Sequence, residues 1–357
     1  MTNNYIAIMA GGIGSRFWPS STIDNPKQFL DILDIGKSLI RLTYERCLLI
    51  VPNEHILIIT NKRYRDLVQE HLPELPVENI LCEPSMNNTA PCIAYTALHL
   101  QAKNPNAVFA VLPSDHVIMK ETVYIDKLNQ AFKFAKDNKA IVTLGIQPTR
   151  PDTGYGYIEV LKTDSDESIY KVTSFKEKPT KSIAQSYLDS GNFYWNAGMF
   201  IWSVKTLLDS FRENSSSILN ILEEDKSKFG TSEEQAYIDE VYPRTENISV
   251  DYSILEKAQN VYTIPSDIGW SDLGTWGSLH AYLDKDKAEN VIQVQEKSHI
   301  EDLSNSLIRA QKERIVVIKG LDNYIVVDEP EALLIYPKDK EQEIKSIVKS
   351  LSKKKSN

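Results

Sequence analysis

The chain has 357 residues, of which 42% are hydrophobic and 25% are charged, and its formal net charge at pH 7 is −9. This length predicts two domains, or one large domain with an appendix, and the composition is that of a globular protein. The acidic balance argues against a nucleic-acid partner, because a phosphate backbone needs a basic surface, but it does not exclude small anionic ligands.

Apolar runs alternate with amphipathic stretches over the first two thirds of the chain. Strands are predicted at 5–9, 56–60, 107–112 and 140–145, and helices at 38–50, 90–103 and 124–138. Nearly continuous apolar strands that alternate with helices indicate an α/β fold, with a parallel sheet covered on both faces. Ligands of such sheets bind beyond the carboxyl ends of the strands, and a glycine-rich segment follows the first strand there.

From about residue 154 the pattern changes to short strands, predicted within YGYIEV, SIYKVTSF and AGMFIWSV, and a long helical segment follows at about 205–241. The polar stretch DKDKAEN predicts a boundary between two domains, 1–285 and 286–357. The second contains four β-like runs, SLIRA, RIVVIKG, NYIVVDE and ALLIYP, and a final charged helix. Because Gly320 is its only glycine, it lacks the glycine signature of a long solenoid and is predicted to be a small β-rich domain.

The segment GGIGSR, residues 11–16, is predicted to hold a phosphate group. A dinucleotide fingerprint starting at Gly12 would need glycine where Phe17 stands, and no Walker A ending is present. A glycine loop at a helix start still offers backbone N–H groups to an anion, and Arg16 adds a guanidinium that suits phosphate oxygens. Lys27 can place a second cation beside this loop. An ordinary glycine turn and a solvated lysine are the alternatives.

Two pairs of charged residues are candidate ligand-binding groups: Asp115 and Glu177–Lys178 follow predicted strands, and Asp272 lies in a glycine-flanked turn. Asp115 in VLPSDHVI and Asp272 in GWSDLGTW each resemble a helix cap, but together they could hold Mg²⁺, which takes one or two carboxylates plus substrate phosphates. Glu177 and Lys178 in FKEKP can serve different groups if the strand ends there, as Pro179 suggests, since neighbours in a strand point to opposite faces.

The opening residues, MTNNYIAIM, lack the basic and apolar regions of a signal peptide, and no apolar run approaches the roughly 18 residues of a membrane span. We therefore expect a cytoplasmic protein with no membrane partner. Cys47, Cys82 and Cys92 lack the spacing of a metal site, and we expect them to be buried, reduced thiols.

Nine segments, in order over about residues 5–280, resemble the bacterial mannose-1-phosphate guanylyltransferases, also called GDP-mannose pyrophosphorylases. They are GGIGSRFWP, PKQFL, EPSMNNTAP, LPSDH, TGYGYI, FKEKP, WNAGMF, SVDYSILEKA and GWSDLGTW. RFWP, PKQFL and NTAP point to the mannose and guanine branch. The resemblance implies a Rossmann-like nucleotidyltransferase domain with a mixed, mostly parallel sheet, followed by the small β domain of the single-function enzymes.

The same resemblance implies that GTP and α-D-mannose 1-phosphate give GDP-mannose and pyrophosphate by in-line attack on the α-phosphorus, with Mg²⁺ as cofactor. The implied nucleotide-binding residues are Gly11, Gly12, Gly14, Arg16, Lys27 and Asp115. The implied metal ligands are Asp115 and Asp272, which form the catalytic set with Arg16 and Lys27. The implied sugar-phosphate-binding residues are Gly156, Glu177, Lys178 and Asn196.

Guanine recognition is assigned to Glu83, because one carboxylate can accept both N1–H and N2–H₂ of guanine. Asn88 and Thr89 lie nearby, although they fit a helix start equally well. Lys176 has no predicted role. The alternatives are a related enzyme for another nucleotide or hexose 1-phosphate, and a non-catalytic regulatory homologue. Strand edges in the small β domain predict self-association as a homodimer.

Overall fold

The computed structural model describes residues 3–162 and 168–354. Its strands are β1 Asn4–Met9, β2 Ile56–Asn61, β3 Ile80–Glu83, β4 Val108–Pro113, β5 Val117–Ile118, β6 Ile141–Ile146, β7 Tyr157–Val160, β8 Tyr170–Lys176, β9 Phe193–Ser203, β10 Val261–Pro265, β11 Trp270–Ser271, β12 Val291–Gln293, β13 His299–Ser304, β14 Leu307–Ala310, β15 Val317–Asp322, β16 Tyr324–Glu329 and β17 Ala332–Pro337.

The α-helices are α1 Leu39–Leu48, α2 Arg65–His71, α3 Thr89–Lys103, α4 Glu121–Asn138, α5 Lys181–Ser190, α6 Val204–Asn214, α7 Ser216–Leu222, α8 Glu234–Val241, α9 Trp276–Tyr282 and α10 Ile344–Lys354. Short 3₁₀ helices cover Ser15–Phe17, Lys27–Phe29, Asn53–His55, Lys62–Tyr64, Val77–Asn79, Lys226–Lys228, Tyr242–Arg244 and Lys338–Glu343. A π-helical turn covers Asp251–Leu255.

The residues pack into two compact units, neither of which is continuous in sequence. The first unit contains the described residues up to Gly11, then Thr43–Ser114 and Ile118–Trp270. The second contains Gly12–Leu42, Asp115–Val117 and the described residues from Ser271 onward. These units are defined by packing, and the division into domains 1–285 and 286–357 stays a prediction.

The first unit is built on a nine-stranded sheet in the order β3-β2-β1-β4-β9-β6-β10-β8-β7. Strands β3, β2, β1 and β4 are parallel, whereas β9 is antiparallel to both β4 and β6, so the sheet is mixed. Strands β2, β4 and β6 are almost entirely buried, and so is the centre of β1, Ile6–Ile8, which explains their apolar sequences. The chain leaves β1, β3 and β4 at the same carboxyl edge, where ligands of such sheets bind.

The seven strands and helices predicted in the first 145 residues are confirmed, with bounds that differ by at most three residues. The long helical segment at 205–241 is divided into α6, α7 and α8, and Gly230 in the last break has a left-handed φ of 72°. Strands β3 and β10 were not predicted, because runs of four and five residues carry little periodicity.

The second unit contains a short parallel β-helix. Val291 pairs with Leu307 and Leu307 with Ile325, so the chain returns to the same sheet after 16 and then 18 residues. The predicted small β-rich region is confirmed, but its coiling was not predicted. Asn305 and Asn323 have left-handed backbones at the corners of the coils and bond to each other at 3.2 Å, so asparagine here takes a conformation that glycine more often adopts.

Of the helices that the structure describes, none is both long and apolar enough to cross a bilayer. Cys47, Cys82 and Cys92 are buried and free of disulfides, as the sequence predicted. Burial raises the pKa of the Cys47 thiol to about 12, against a smaller opposing effect of Arg46. A thiol that stays protonated near neutrality is chemically inert.

Candidate functional site

The glycine loop after β1 is closed by a contact that only glycine permits. Gly14 has a left-handed φ of 71°, and a Cβ at this position would overlap the Cβ of Lys27. The Lys27 backbone N–H donates to the carbonyl oxygen of Ile13 at 3.2 Å. The structure therefore places Lys27 directly against the glycine loop.

The Lys27 ammonium joins the two aspartates that the sequence singled out. Lys27 Nζ lies 2.9 Å from Asp115 Oδ2 and 2.7 Å from the backbone oxygen of Asp272, with the backbone oxygen of Asp115 at 3.3 Å. These three acceptors match the three donors of an ammonium group. We call Gly14, Lys27, Asp115 and Asp272 the Lys27 cluster; all four lie in the second unit.

The electrostatics of the Lys27 cluster keep Asp115 ionised. Burial by itself would raise the pKa of Asp115, but the Lys27 ammonium and, less strongly, His116 lower it below its ordinary value. The Asp272 carboxylate is oriented by a turn, in which the Gly274 N–H donates to Asp272 Oδ1 at 3.0 Å. The cluster thus presents hard oxygen atoms of the kind that Mg²⁺ prefers.

Arg16 lies in the 3₁₀ helix that follows the glycine loop, and packing of that helix determines its position. The ring of Phe17 stacks in a tilted arrangement on Trp276, with centroids 4.8 Å apart, and the Trp276 indole donates to the carbonyl of Trp18 at 3.1 Å. Trp276 opens α9, which is capped by Thr275. Arg16 is half-buried. Burial raises the pKa of Glu341, and the charge of Arg16 is one of the weaker effects that oppose this rise.

Glu83 is the last residue of β3 and is 7% exposed. Its Oε1 accepts a hydrogen bond from the hydroxyl of Tyr242. Its Oε2 lies 3.5 Å from where a Cβ on Gly11 would stand, so this oxygen faces Gly11. Burial raises the pKa of Glu83 to about 7, although hydrogen bonds from Tyr242 and Cys92 oppose the rise. We call Gly11, Glu83, Cys92 and Tyr242 the Glu83 cluster, within the first unit.

Asn88 and Thr89 form the start of helix α3. The Asn88 side chain accepts a hydrogen bond from the Thr89 N–H at 2.9 Å, and Thr89 Oγ1 accepts one from the Val250 N–H at 2.9 Å. Both bonds are typical of residues that begin a helix, which was the alternative role predicted for Asn88 and Thr89. Their role in nucleotide binding stays a prediction.

Glu177 and Lys178 follow β8, which ends at Lys176, so the strand does end where Pro179 suggested. Lys178 has a left-handed φ of 42°, and its Nζ lies 3.6 Å from Glu177 Oε2 while the lysine side chain remains exposed. A Cβ at Gly156 would overlap Glu177 Oε1, and the Asn196 N–H donates to the Gly156 carbonyl at 2.9 Å. The structure thus brings all four predicted sugar-phosphate residues together.

Asp251 completes this group, and the sequence analysis assigned it no role. Asn196 Nδ2 donates to Asp251 Oδ1 at 2.9 Å, and Asn196 Oδ1 accepts from the Gly198 N–H at 3.0 Å. The sequence did point to this segment, because Asp251 lies in SVDYSILEKA, one of the segments that carry the family resemblance. Residues Asp251–Leu255 form a π-helical turn, a feature frequent at functional sites. We call Gly156, Glu177, Lys178, Asn196 and Asp251 the Glu177 cluster, within the first unit.

Two neighbouring carboxyl groups set the charge of the Glu177 cluster. Burial raises the pKa of Glu177, the nearby Asp251 raises it further, and Lys178 opposes both effects. Burial also raises the pKa of Asp251, although the hydrogen bond from Asn196 opposes this. The cluster therefore offers paired hydrogen-bond acceptors beside one exposed ammonium, an arrangement suited to a polyhydroxyl compound that carries an anionic group.

Among residues 3–162 and 168–354, no group of three or more His, Cys, Asp or Glu side chains could hold a metal ion. Asp115 and Asp272 supply two carboxylates, the number that Mg²⁺ uses when substrate phosphates and water complete its coordination. The two carboxylates of the Lys27 cluster therefore fit the donor set of a magnesium ion.

Two family models match consecutive stretches of the chain. A family model described as "Nucleotidyl transferase" matches residues 6–289, and one described as "MannoseP isomerase/GMP-like beta-helix domain" matches residues 299–351. These matches, with the structural match below, confirm the predicted fold class of a nucleotidyltransferase fold with a C-terminal β-rich part.

Three similar proteins cover nearly the whole chain. The Escherichia coli protein named mannose-1-phosphate guanylyltransferase is 34% identical over 352 residues, covering 96% of this chain and 75% of that protein. Mannose-1-phosphate guanylyltransferase RfbM of Salmonella typhimurium is 37% identical over 355 residues, covering 97% and 72%. A Thermus thermophilus crystal structure described as a mannose-1-phosphate geranyltransferase has a TM-score of 0.87 at 31% identity, covering 98% of this chain and 100% of that one.

Proposed function

The chain belongs to the nucleotidyl transferase family, among the mannose-1-phosphate guanylyltransferases, and we propose that it makes GDP-mannose and pyrophosphate from GTP and α-D-mannose 1-phosphate. The observation that carries this proposal is the Lys27 cluster. Residues from three separate motifs, 88 and 245 positions apart, meet at one ammonium nitrogen. The names of the similar proteins do not favour the alternative of another nucleotide or hexose.

The reaction needs charge neutralisation and alignment more than acid–base help. The phosphate of mannose 1-phosphate is an anion at neutral pH, so it can attack the α-phosphorus of GTP in line without losing a proton. The barrier comes from repulsion between two anions and from imperfect alignment. Fixed positive charges and substrate positioning lower that barrier in phosphoryl-type transfer.

We assign the nucleotide phosphates to the second unit. Gly12 and Gly14 would offer backbone N–H groups, and Arg16 would contact the triphosphate. Lys27 already bonds to Asp115 and to the backbone at Asp272, so its first effect is to hold these residues together. Asp115 and Asp272 would hold Mg²⁺, which when bound neutralises phosphate charge. Asp115 supports this role because Lys27 keeps it ionised near neutral pH.

We assign mannose 1-phosphate to the Glu177 cluster. Lys178 would contact the phosphate, because its ammonium is exposed and only loosely paired with Glu177. Glu177, Asn196 and the backbone at Gly156 would bond to the sugar hydroxyls. Asp251 orients the Asn196 amide, and the nearby carboxylates of Glu177 and Asp251 would accept hydrogen bonds from the sugar hydroxyls.

We assign the guanine base to the Glu83 cluster. A carboxylate can accept the adjacent N1–H and N2–H₂ groups of guanine together, and Glu83 Oε2 faces Gly11 of the glycine loop. Gly11 would approach the nucleotide through its backbone. An adenine base offers no N–H donor at these positions, so the same carboxylate disfavours ATP.

The experiment that tests this function is pyrophosphate release across GTP, ATP, UTP and dTTP, each paired with mannose 1-phosphate and glucose 1-phosphate. We expect release with GTP and mannose 1-phosphate to exceed every other pair. Equal turnover of UTP or dTTP with glucose 1-phosphate would remove the guanine and mannose assignment. Release with no pair would favour a non-catalytic homologue.

We propose further that the protein forms a homodimer through its β-helix, and that it works in the cytoplasm. Strand β17 is the last strand of a four-stranded sheet, and its Leu333 and Ile335 side chains are exposed. Sedimentation velocity should show a dimer that Leu333→Lys with Ile335→Lys converts to a monomer. Ile315→Lys, a change at another exposed apolar residue of the second unit, is the control. A monomeric unaltered protein would contradict the dimer.

A further inference from the structure

The carboxylate of Glu83 is held by a residue 159 positions away. Tyr242 is the first residue of a 3₁₀ helix after α8, and its hydroxyl donates a hydrogen bond to Glu83 Oε1. Tyr242 is fully buried and Glu83 is nearly so, and water therefore offers little replacement for this bond. A buried hydroxyl bonded to a buried carboxylate restricts rotation of the carboxyl group, because breaking the bond leaves polar atoms unsatisfied.

Tyr242 is in turn anchored to the segment that follows Glu83. The side-chain amide of Asn87 donates to the carbonyl oxygens of Tyr242 at 3.2 Å and Thr245 at 3.0 Å, and to Thr245 Oγ1 at 3.0 Å. The Thr245 hydroxyl donates to the Tyr242 carbonyl at 2.8 Å. Residues 83–87 and 242–245 therefore hold each other at two points, and the Glu83 carboxylate is one of them.

We propose that Tyr242 is a positioning residue for base selection, whose hydroxyl holds Glu83 in the orientation that accepts the two adjacent N–H donors of a guanine edge. The proposal rests on the proposed function, in which Glu83 binds guanine. With Oε1 bonded to Tyr242, Oε2 is the oxygen that faces Gly11. Rotation of the carboxyl group would move both oxygens away from the positions that match N1–H and N2–H₂.

The charge on Glu83 responds to the same hydroxyl. Burial raises the pKa of Glu83, while the hydrogen bonds from Tyr242 and from the Cys92 thiol lower it. Glu83 also interacts with Cys82 and Tyr95, whose pKa values burial raises. Without the Tyr242 hydroxyl, the pKa of Glu83 rises further. A larger fraction of Glu83 is then protonated near pH 7 and cannot accept two N–H donors.

Hypoxanthine is the probe that isolates this contact, because it keeps N1–H and lacks the 2-amino group. The test compares kcat/KM for GTP and ITP, at saturating mannose 1-phosphate, in the unaltered protein and in Tyr242→Phe. We expect the GTP/ITP ratio to fall about tenfold in Tyr242→Phe, the effect of one hydrogen bond to a charged acceptor. The KM for mannose 1-phosphate should not change.

The matched control is Tyr44→Phe, which also removes the hydroxyl of a fully buried tyrosine. The Tyr44 hydroxyl donates to Asn53 Oδ1 at 2.6 Å, and Tyr44 belongs to none of the three clusters. This variant should keep the GTP/ITP ratio. The pH profile is a second readout: kcat/KM for GTP falls as Glu83 is protonated, and the midpoint should lie at higher pH in Tyr242→Phe. An unchanged ratio and midpoint in folded Tyr242→Phe, or an equal loss of the GTP/ITP ratio in Tyr44→Phe, would overturn the positioning role.

If Tyr242→Phe does not fold, Thr245→Val replaces it, since it removes the hydroxyl that anchors the Tyr242 carbonyl. An unchanged GTP/ITP ratio in that variant overturns the proposal, and a fall of about twofold or more supports it. The unaltered protein distinguishes guanine binding by Glu83 from the positioning role of Tyr242. Equal use of GTP and ITP there refutes guanine reading by Glu83, whereas a strong GTP preference that Tyr242→Phe retains refutes only the role of Tyr242.

Discussion

Replacing Lys27 by methionine tests whether its ammonium holds the two aspartates together. The change keeps an unbranched side chain of similar length and removes the charge. The Asp115 carboxylate then loses the partner that lowers its pKa, and the backbone oxygen of Asp272 loses its donor. Both are left in a partly buried place, where an unpaired charge or carbonyl is costly.

The size of the effect follows from the exposure of the two side chains. Breaking a fully buried ion pair costs about 3–5 kcal/mol, whereas an exposed pair contributes about 0–1 kcal/mol. The Lys27 side chain is 3% exposed and that of Asp115 is 30% exposed, which places this pair between the two limits. We therefore expect Lys27→Met to lower the free energy of unfolding by about 2–3 kcal/mol.

The free energies of unfolding are measured by urea denaturation in a double-mutant cycle. The cycle compares the unaltered protein, Lys27→Met, Asp115→Asn and the double variant. The coupling between the two side chains should be about 2 kcal/mol. Lys120→Met is the matched control, because the Lys120–Asp267 pair is close, at 2.5 Å, but exposed. Its cost should stay below about 1 kcal/mol. A Lys27–Asp115 coupling below about 0.5 kcal/mol would refute the reasoning.

The pH dependence provides an independent check with a definite sign. The folded-state pKa of Asp115 lies below its unfolded value, so its contribution to stability is present above about pH 4 and is lost as the pH falls through the folded pKa. In Lys27→Met, burial acts without the ammonium and raises the pKa of Asp115. Acidification then protonates Asp115 and so removes the free-energy cost of its unpaired charge. The stability difference between the two proteins should therefore be largest near pH 7 and should narrow toward pH 4.

Three further changes test the assigned roles in the reaction. Asp272→Asn should lower magnesium-dependent pyrophosphate release by about a hundredfold or more while circular dichroism stays unchanged, and near-normal release would remove Asp272 from the metal site. Lys178→Ala should raise the KM for mannose 1-phosphate about tenfold with little effect on that for GTP, and a larger effect on GTP would reassign this lysine. Gly156→Ala should displace the Glu177 carboxylate, which its Cβ would overlap, and so raise the KM for mannose 1-phosphate; an unchanged KM would separate Glu177 from the sugar.

Much of the fold was predictable because buried strands and helices have characteristic patterns of apolar residues. Strands β1, β2, β4 and β6 lie inside the sheet, so nearly every residue in them is apolar. The β-helix was predicted only as β-rich. Its coils repeat through the pairing of Leu307 with Ile325 and through corners made by Asn305 and Asn323, and a search for repeated glycines does not detect such corners.

Candidate residues were also predictable, because glycine, charged groups and proline at strand ends are typical of ligand binding. The Glu177 cluster shows where this prediction stops. Glu177, Lys178, Gly156 and Asn196 were singled out through their own short motifs, whereas Asp251 became part of the group only through its hydrogen bond to Asn196. The segment around Asp251 carries the family resemblance, but its sequence does not show that the Asp251 carboxylate bonds to Asn196.

The sequence by itself determined the alternating α/β pattern, the glycine loop and the charged residues at strand ends, since each depends on neighbours within a few positions. Only the tertiary structure decided which of these residues meet. Lys27 reaches Asp115 and Asp272, and Tyr242 reaches Glu83, across separations of 88, 245 and 159 residues. Contacts at such distances depend on how the sheet edge and the loops fold back, and a single sequence holds no periodic trace of them.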